Sequence, residues 1–174
     1  HFAQLIPNAE ARDAVAASGE TTMGAASPLL GTSYHLLQGP AMSPRFLPCT
    51  APPWAKLVAV DLERGEIKWE VPLGTIEKLS PLPLPIRWGA PTFAGAIVTG
   101  GGLVFIGGTA DNRFRAFSVD DGEELWSTKL PTGGFAHPMT YEIAGKQYVV
   151  IVAGGHPFVD QDPGDWVTAF ALPD

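Results

Sequence analysis

A single cysteine, Cys49, rules out an internal disulfide, so this chain is no disulfide-stapled scaffold. With no base beside it in sequence to activate the thiol, Cys49 reads as a small buried hydrophobe, and it leaves the compartment open. Charge is scarce and unbalanced: 17% of residues are Asp, Glu, Lys or Arg, and the net charge is −7. No basic stripe exists to neutralise phosphates, which excludes nucleic acid as a partner and weighs against an anionic membrane surface. Long apolar runs are missing too; residues 148–154 make a strand-sized run, far short of a transmembrane segment. The opening "HFAQLIPNAEARDA" has neither an initiator Met nor the regions of a signal peptide, and reads as the start of a processed or excised piece.

What is present is apolar and rich in turns. Hydrophobic residues make up 45%, with Gly 20 and Pro 17, and no collagen period or low-complexity run. That balance predicts an all-β fold with a proper core. Residues 1–54 read as an opening strand at 2–6, one short helix in "AEARDAVAA", and a long ordered loop punctuated by prolines. Residues 55–174 read as blades of short strands. "KLVAVDL", "ERGE" and "IKWEVPL" make a hairpin, the proline run at 80–91 is a connection, and "AIVTG", "GLVFIGG", "RFRAFSV" and "EELWSTKL" make four strands. "PMTYEI", "KQYVVIVAGG" and "WVTAFAL" follow.

Ala59, Asp61, Gly65 and Trp69 align with Ala116, Ser118, Gly122 and Trp126, so A-x-[DS]-x-x-x-G-x-x-x-W occurs twice, 57 residues apart. Self-similarity at that spacing, with four short strands per unit, predicts a β-propeller. The Gly permits the hairpin turn, and the Trp on the next strand can dock on a neighbouring blade. At this period the chain holds about three four-stranded blades, fewer than the roughly four a ring needs, so a partial propeller is expected.

The repeat resembles the tryptophan-docking repeat of the quinoprotein dehydrogenases, which carry pyrroloquinoline quinone (PQQ) on an eight-bladed propeller. "PCTAPPWAKLVAVDL", "GGLVFIGGTADNRFRAF", "KQYVVIVAGGH" and "GDWVTAFALP" stand in the order of the C-terminal part of the membrane-bound glucose, quinate and polyol branch. The resemblance implies PQQ with Ca²⁺ or Mg²⁺, and oxidation of a sugar or polyol at the periplasmic face. It also implies electrons passed to ubiquinone by a parent protein anchored in the inner membrane. The catalytic residues are then expected upstream, with most metal ligands outside this chain, which needs the remaining blades and is inactive alone. No transmembrane segment is expected within the chain itself.

The resemblance places Asp111 and Asn112, in the turn "TADNR", and His156, in "AGGH", at the cofactor and substrate site. On bare sequence, Asp111 and Asn112 are turn formers and His156 an ordinary strand-end residue. As a neutral imidazole His156 can hydrogen-bond a sugar hydroxyl or a PQQ carboxylate. Asp160, Asp162 and Asp165 read as a solvated acidic loop, because a calcium loop needs a differently placed Gly and a distal Glu. Phe135 and His137 depart from the small or polar residues usual in the branch. Trp54, Trp69 and Trp126 read as packing residues, Trp88 and Trp166 stay unassigned, and His35 reads as loop surface. The rival to the enzyme is a non-catalytic propeller with PQQ-type repeats, acting as a periplasmic protein-binding scaffold.

Overall fold

The computed structural model describes residues 2–10, 26–39, 48–78, 85–90, 92–156 and 163–172. Strand β1 (Phe2–Pro7) leads, followed by β2 (Ala26–Pro28) and β3 (Tyr34–Gly39), which form one antiparallel sheet in the order β1-β3-β2. These belong to the first of two units, His1–Cys49 and Thr50–Asp174. The opening strand is as expected, whereas β2 and β3 occupy part of the stretch read as loop. Helical backbone covers residues 8–10, and the rest of the expected helix lies outside the described residues. Two single-residue readings are also corrected. His35 sits on β3, partly buried, with Nδ1 2.7 Å from Asn8 Oδ1. Cys49 is exposed rather than buried.

In the second unit the repeated phrase explains itself. Strands β4 (Lys56–Asp61) and β5 (Glu66–Pro72) form an antiparallel hairpin. At its turn, Asp61 Oδ1 accepts from the Glu63 and Arg64 amides at 2.9 and 3.1 Å, and the Gly65 amide donates to the Asp61 carbonyl at 2.7 Å. Gly65 takes φ +68°, which favours glycine. The four-stranded meander of β6 (Ala96–Val98), β7 (Leu103–Ile106), β8 (Arg113–Ser118) and β9 (Glu124–Lys129) repeats this turn. There Ser118 Oγ accepts from the Asp120 amide at 3.2 Å, and the Gly122 amide donates to the Ser118 carbonyl at 3.0 Å. Ala59 pairs with Trp69 and Ala116 with Trp126, each pair followed by a bulge.

The tryptophan links one repeat to the next. Trp69 Nε1 donates to the Val119 carbonyl at 2.9 Å. Its ring lies over Gly122, where an added Cβ would come within 2.6 Å of Cε3. The two copies of the repeat therefore interlock, with Trp69 of one sheet resting on Gly122 of the following sheet. Trp126 packs edge-on against Phe114 and Phe170. Phe170 belongs to the third sheet, β10 (Met139–Ile143), β11 (Lys146–Ala153) and β12 (Trp166–Ala171).

The apolar cores lie between successive sheets, as blades demand. Leu73, Val104, Ile106 and Phe117 fill the seam between the β4–β5 hairpin and the meander, with Leu57 and Val71 against them. Phe114, Leu130, Val149 and Ile151 fill the seam between the meander and the third sheet, joined by Phe105 and Phe170. Each fully buried side chain of this size contributes about 1.5–3 kcal/mol. All-β sheets stacked in series make this a partial β-propeller.

Candidate functional site

The strand registers gather the long connections. Ile106 pairs with Arg115 and Arg113 with Lys129, so the loops after β7 and β9 leave the meander at one end. Met139 pairs with Val150 and Ala153 with Trp166, so the loop after β11 emerges where β10 begins. The Gly155 amide donates to the Gly133 carbonyl at 2.9 Å, joining the last two loops. The tight turns lie at the opposite ends of the strands. Asp111, Asn112, Phe135, His137 and His156 thus all belong to one loop face.

At this face His156 is held between two rings. Its imidazole stacks on Phe93 at 5.0 Å and 17°, and tilts against Phe135 at 5.3 Å and 54°. Phe93 is 62% exposed, so the stack opens toward solvent. Glycine makes the approach possible: a Cβ on Gly108 would lie 2.2 Å from Ala94 Cβ and 3.2 Å from Phe135 Cδ1. A Cβ on Gly95 would lie 2.0 Å from His137 Nε2. The structure thus places His156 and Phe135 together and brings in Phe93, which the sequence reading did not single out.

Asp111 is differently engaged. It is 1% exposed, and both carboxylate oxygens are taken. Oδ2 accepts from the Thr75 amide at 2.8 Å and the Thr75 hydroxyl at 3.0 Å. Oδ1 accepts from the Thr109 hydroxyl at 2.6 Å, the Arg113 amide at 3.2 Å and Arg115 Nη1 at 3.1 Å. Arg115 Nη2 closes a very short ion pair with Oδ2. Burial pushes the Asp111 carboxyl up, but the hydrogen bonds and charge of Arg115, with Thr109 and Thr75, outweigh it and hold the pKa below its usual range. Arg115, 2% exposed, also reaches Glu124 at 3.5 Å, and Glu124 meets Arg87 at 3.4 Å. Thr75, Arg115 and Glu124 were not anticipated. A signal for Arg115 existed: it stands in a β8 run buried at Phe114, Arg115, Ala116 and Phe117, where a charge needs a partner.

Asn112 adopts φ 58°, is 3% exposed, and its Oδ1 is buried without a hydrogen-bond partner. That leaves a spare acceptor beside the Asp111 network. Asp165 is exposed, and Asp160 and Asp162 lie outside the described residues. Trp54 packs edge-on against Trp88 at 5.9 Å, so both have packing roles.

Residues 1–149 match the family model described as "PQQ: Glucose/ethanol/alcohol dehydrogenase, beta-propeller domain". The chain belongs to this PQQ-dependent dehydrogenase propeller family. It is 44% identical to quinoprotein glucose dehydrogenase A of Acinetobacter calcoaceticus, over 98% of this chain and 22% of that protein. Identity is 45% to a probable quinate dehydrogenase (quinone) of Xanthomonas campestris pv. juglandis, over 99% of this chain and 23% of that protein. The quinohemoprotein alcohol dehydrogenase of Comamonas testosteroni superposes with TM-score 0.56 over 97% of this chain and 22% of that one, at 23% identity, which supports the fold. The chain therefore spans about a fifth of the relatives it matches.

The loop face offers this family's quinone a partial seat. PQQ is a flat, anionic ortho-quinone, and the partly exposed imidazole of His156, stacked on Phe93, is a group it can use, whereas the buried Asn112 Oδ1 is an acceptor and offers an anion nothing. The Asp111 carboxylate is already saturated. Among the described residues no group of three or more His, Cys, Asp or Glu side chains gathers to hold a metal.

Proposed function

We propose that this chain forms part of a PQQ-dependent dehydrogenase that oxidises a sugar or polyol of the glucose or quinate kind. The observation that carries this reading is identity of 43–45% with glucose and quinate dehydrogenases across nearly the whole chain, loop face included. The same reading puts the reaction in the periplasm, with ubiquinone as acceptor and Ca²⁺ or Mg²⁺ beside the quinone. Other parts of the propeller supply the catalytic residues and most metal ligands, so the 174-residue chain alone is inactive. No helix among the described residues is long and apolar enough to cross a membrane.

When bound, PQQ supplies the two-electron oxidation of the alcohol carbon. The residues of this chain bind and shape. His156, oriented by Phe93 and Phe135, hydrogen-bonds a substrate hydroxyl or a quinone carboxylate, and Asn112 belongs to the same loop face. The two rings shed water from one flank of the imidazole and narrow the entrance, which limits substrate shape. The scaffold alternative accounts for the Trp–Gly interlock but leaves the extended identity with dehydrogenases without a reason.

The test is His156→Ala in the complete protein, with substrate and PQQ varied separately. Loss of one hydrogen bond to a bound polar ligand costs about 0.5–1.5 kcal/mol, roughly two- to thirteenfold in affinity. A raised substrate KM alone assigns His156 to substrate, and weakened PQQ dependence alone assigns it to cofactor. Neither parameter moving contradicts the assignment.

A further inference from the structure

We infer that Asp111 is a positioning residue: a buried latch that fixes the end of one blade against the site-bearing loop of the next, and acts on the site without touching a ligand. The inference deepens the proposed function and rests on it only where PQQ affinity is read.

The geometry makes the latch. Thr75 lies just beyond β5, in the connection leaving the β4–β5 hairpin, whereas Asp111 stands in the loop after β7 of the following sheet. Two donors of Thr75 converge on one Asp111 oxygen, at 2.8 Å from the amide and 3.0 Å from the hydroxyl. The other oxygen holds its own loop through Thr109, Arg113 and Arg115. The side chains of the ion pair, 3% exposed at Arg115 and 0% at Asp111, exclude water, so each bond here is stronger than its surface equivalent. Close packing repeats the connection: a Cβ on Gly74, beside Thr75, would lie 2.8 Å from Thr109 Cγ2.

From the latch to the site the path is contiguous. Thr109 is bonded to Asp111 and follows Gly108 in the chain. Gly108 lies against Phe135, and Phe135 against His156. A shift of the 107–112 loop therefore moves the ring that orients the imidazole. A carboxylate acting directly on quinone or cation needs a free lone pair aimed at the ligand, and Asp111 has both oxygens committed.

The experiment uses the complete protein with Thr75→Val, Thr75→Ser and Asp111→Asn, in three measurements. Thr75→Val keeps shape and removes only the hydroxyl donor, and Thr75→Ser restores it, so the test does not depend on Asp111→Asn folding. Hydrogen exchange at the Thr75 amide is read without PQQ; in Asp111→Asn it should accelerate at least about tenfold beyond any acceleration of the core Ile151 amide, which reports global stability, as expected when a bond to a charged acceptor is lost. The ring-proton NMR signals of His156, read with histidine-selective labelling, should move in Thr75→Val and return in Thr75→Ser. Affinity for added PQQ should fall about two- to tenfold in Thr75→Val and recover in Thr75→Ser. Unchanged Thr75 exchange, or His156 signals indifferent to Thr75→Val, overturns the latch. So does a loss of PQQ affinity in Asp111→Asn that Thr75→Val does not share, since Asp111 then touches the cofactor. If the protein binds no PQQ at all, the proposed function fails while the first two measurements still decide the latch.

Discussion

Replacing Gly122 with Ala attacks the interlock that makes these sheets successive blades. Two costs add. Gly122 sits at φ +76°, where an L side chain costs roughly 1–2 kcal/mol. The new methyl also meets Trp69 at 2.6 Å (Cε3) and 2.9 Å (Cδ2), distances at which the ring must shift. Forcing apart a packed contact costs about 1–3 kcal/mol, so the total is about 2–5 kcal/mol. Gly145→Ala is the matched control, with φ +78° and nothing within 4 Å of the added carbon, and should cost only the backbone part. Urea denaturation of the complete protein measures both. Because m grows with the surface exposed and exceeds the roughly 1–3 kcal/mol/M of small proteins, the Gly122→Ala midpoint should fall below that of Gly145→Ala by about a few tenths of a molar. In a double-mutant cycle, Trp69→Leu should remove most of the extra cost, because the ring is what the methyl strikes. Gly122→Ala no worse than Gly145→Ala, or strict additivity with Trp69→Leu, refutes the interlock.

Three further outcomes are expected. Asp111→Asn leaves buried Arg115 with only the longer ionic contact to Glu124 and should destabilise by up to about 3–5 kcal/mol near neutral pH. Because the folded pKa lies below the ordinary 3.8, the carboxylate's stabilisation is present above that value and lost as pH falls through the folded pKa. The gap between wild type and Asp111→Asn, read from denaturation at successive pH values, should therefore narrow in acid, and a gap that widens contradicts the sign. Phe93→Ala, at a 62% exposed ring, should cost little stability yet broaden the range of alcohols accepted, as measured by kcat/KM across a substrate series; an unchanged ranking refutes its role at the entrance. The isolated 174-residue chain with PQQ and Ca²⁺ or Mg²⁺ should show no glucose oxidation above background in a dye-linked assay, and turnover there contradicts its being part of a site.

The interlock was legible because its parts are local and strictly spaced. Asp61 or Ser118 at the turn, the Gly four residues before the Trp, and Ala opposite the Trp each do something their chemistry alone predicts. The strands of the first unit were less legible. In a Pro-rich stretch β2 has only three residues, and β3 is fixed by pairing with distant β1, which local pattern does not encode. Asp111 was half legible: its bond to the Arg113 amide is the local turn chemistry expected of Asp, whereas Thr75 lies 36 residues away. His156 needed the family resemblance, because nothing in "AGGH" announces that Phe93 and Phe135 will close on it.

On the function proposed above, this chain helps build a PQQ site for alcohol oxidation. The complete protein, prepared without cofactor, should be titrated with PQQ in the presence of Ca²⁺ or Mg²⁺ while dye-linked oxidation of glucose, quinate and glycerol is followed. Saturable PQQ-dependent turnover of at least one of these is expected, with His156→Ala weakening the response to substrate or to PQQ. No binding of PQQ and no PQQ-dependent turnover of any of the three contradicts it.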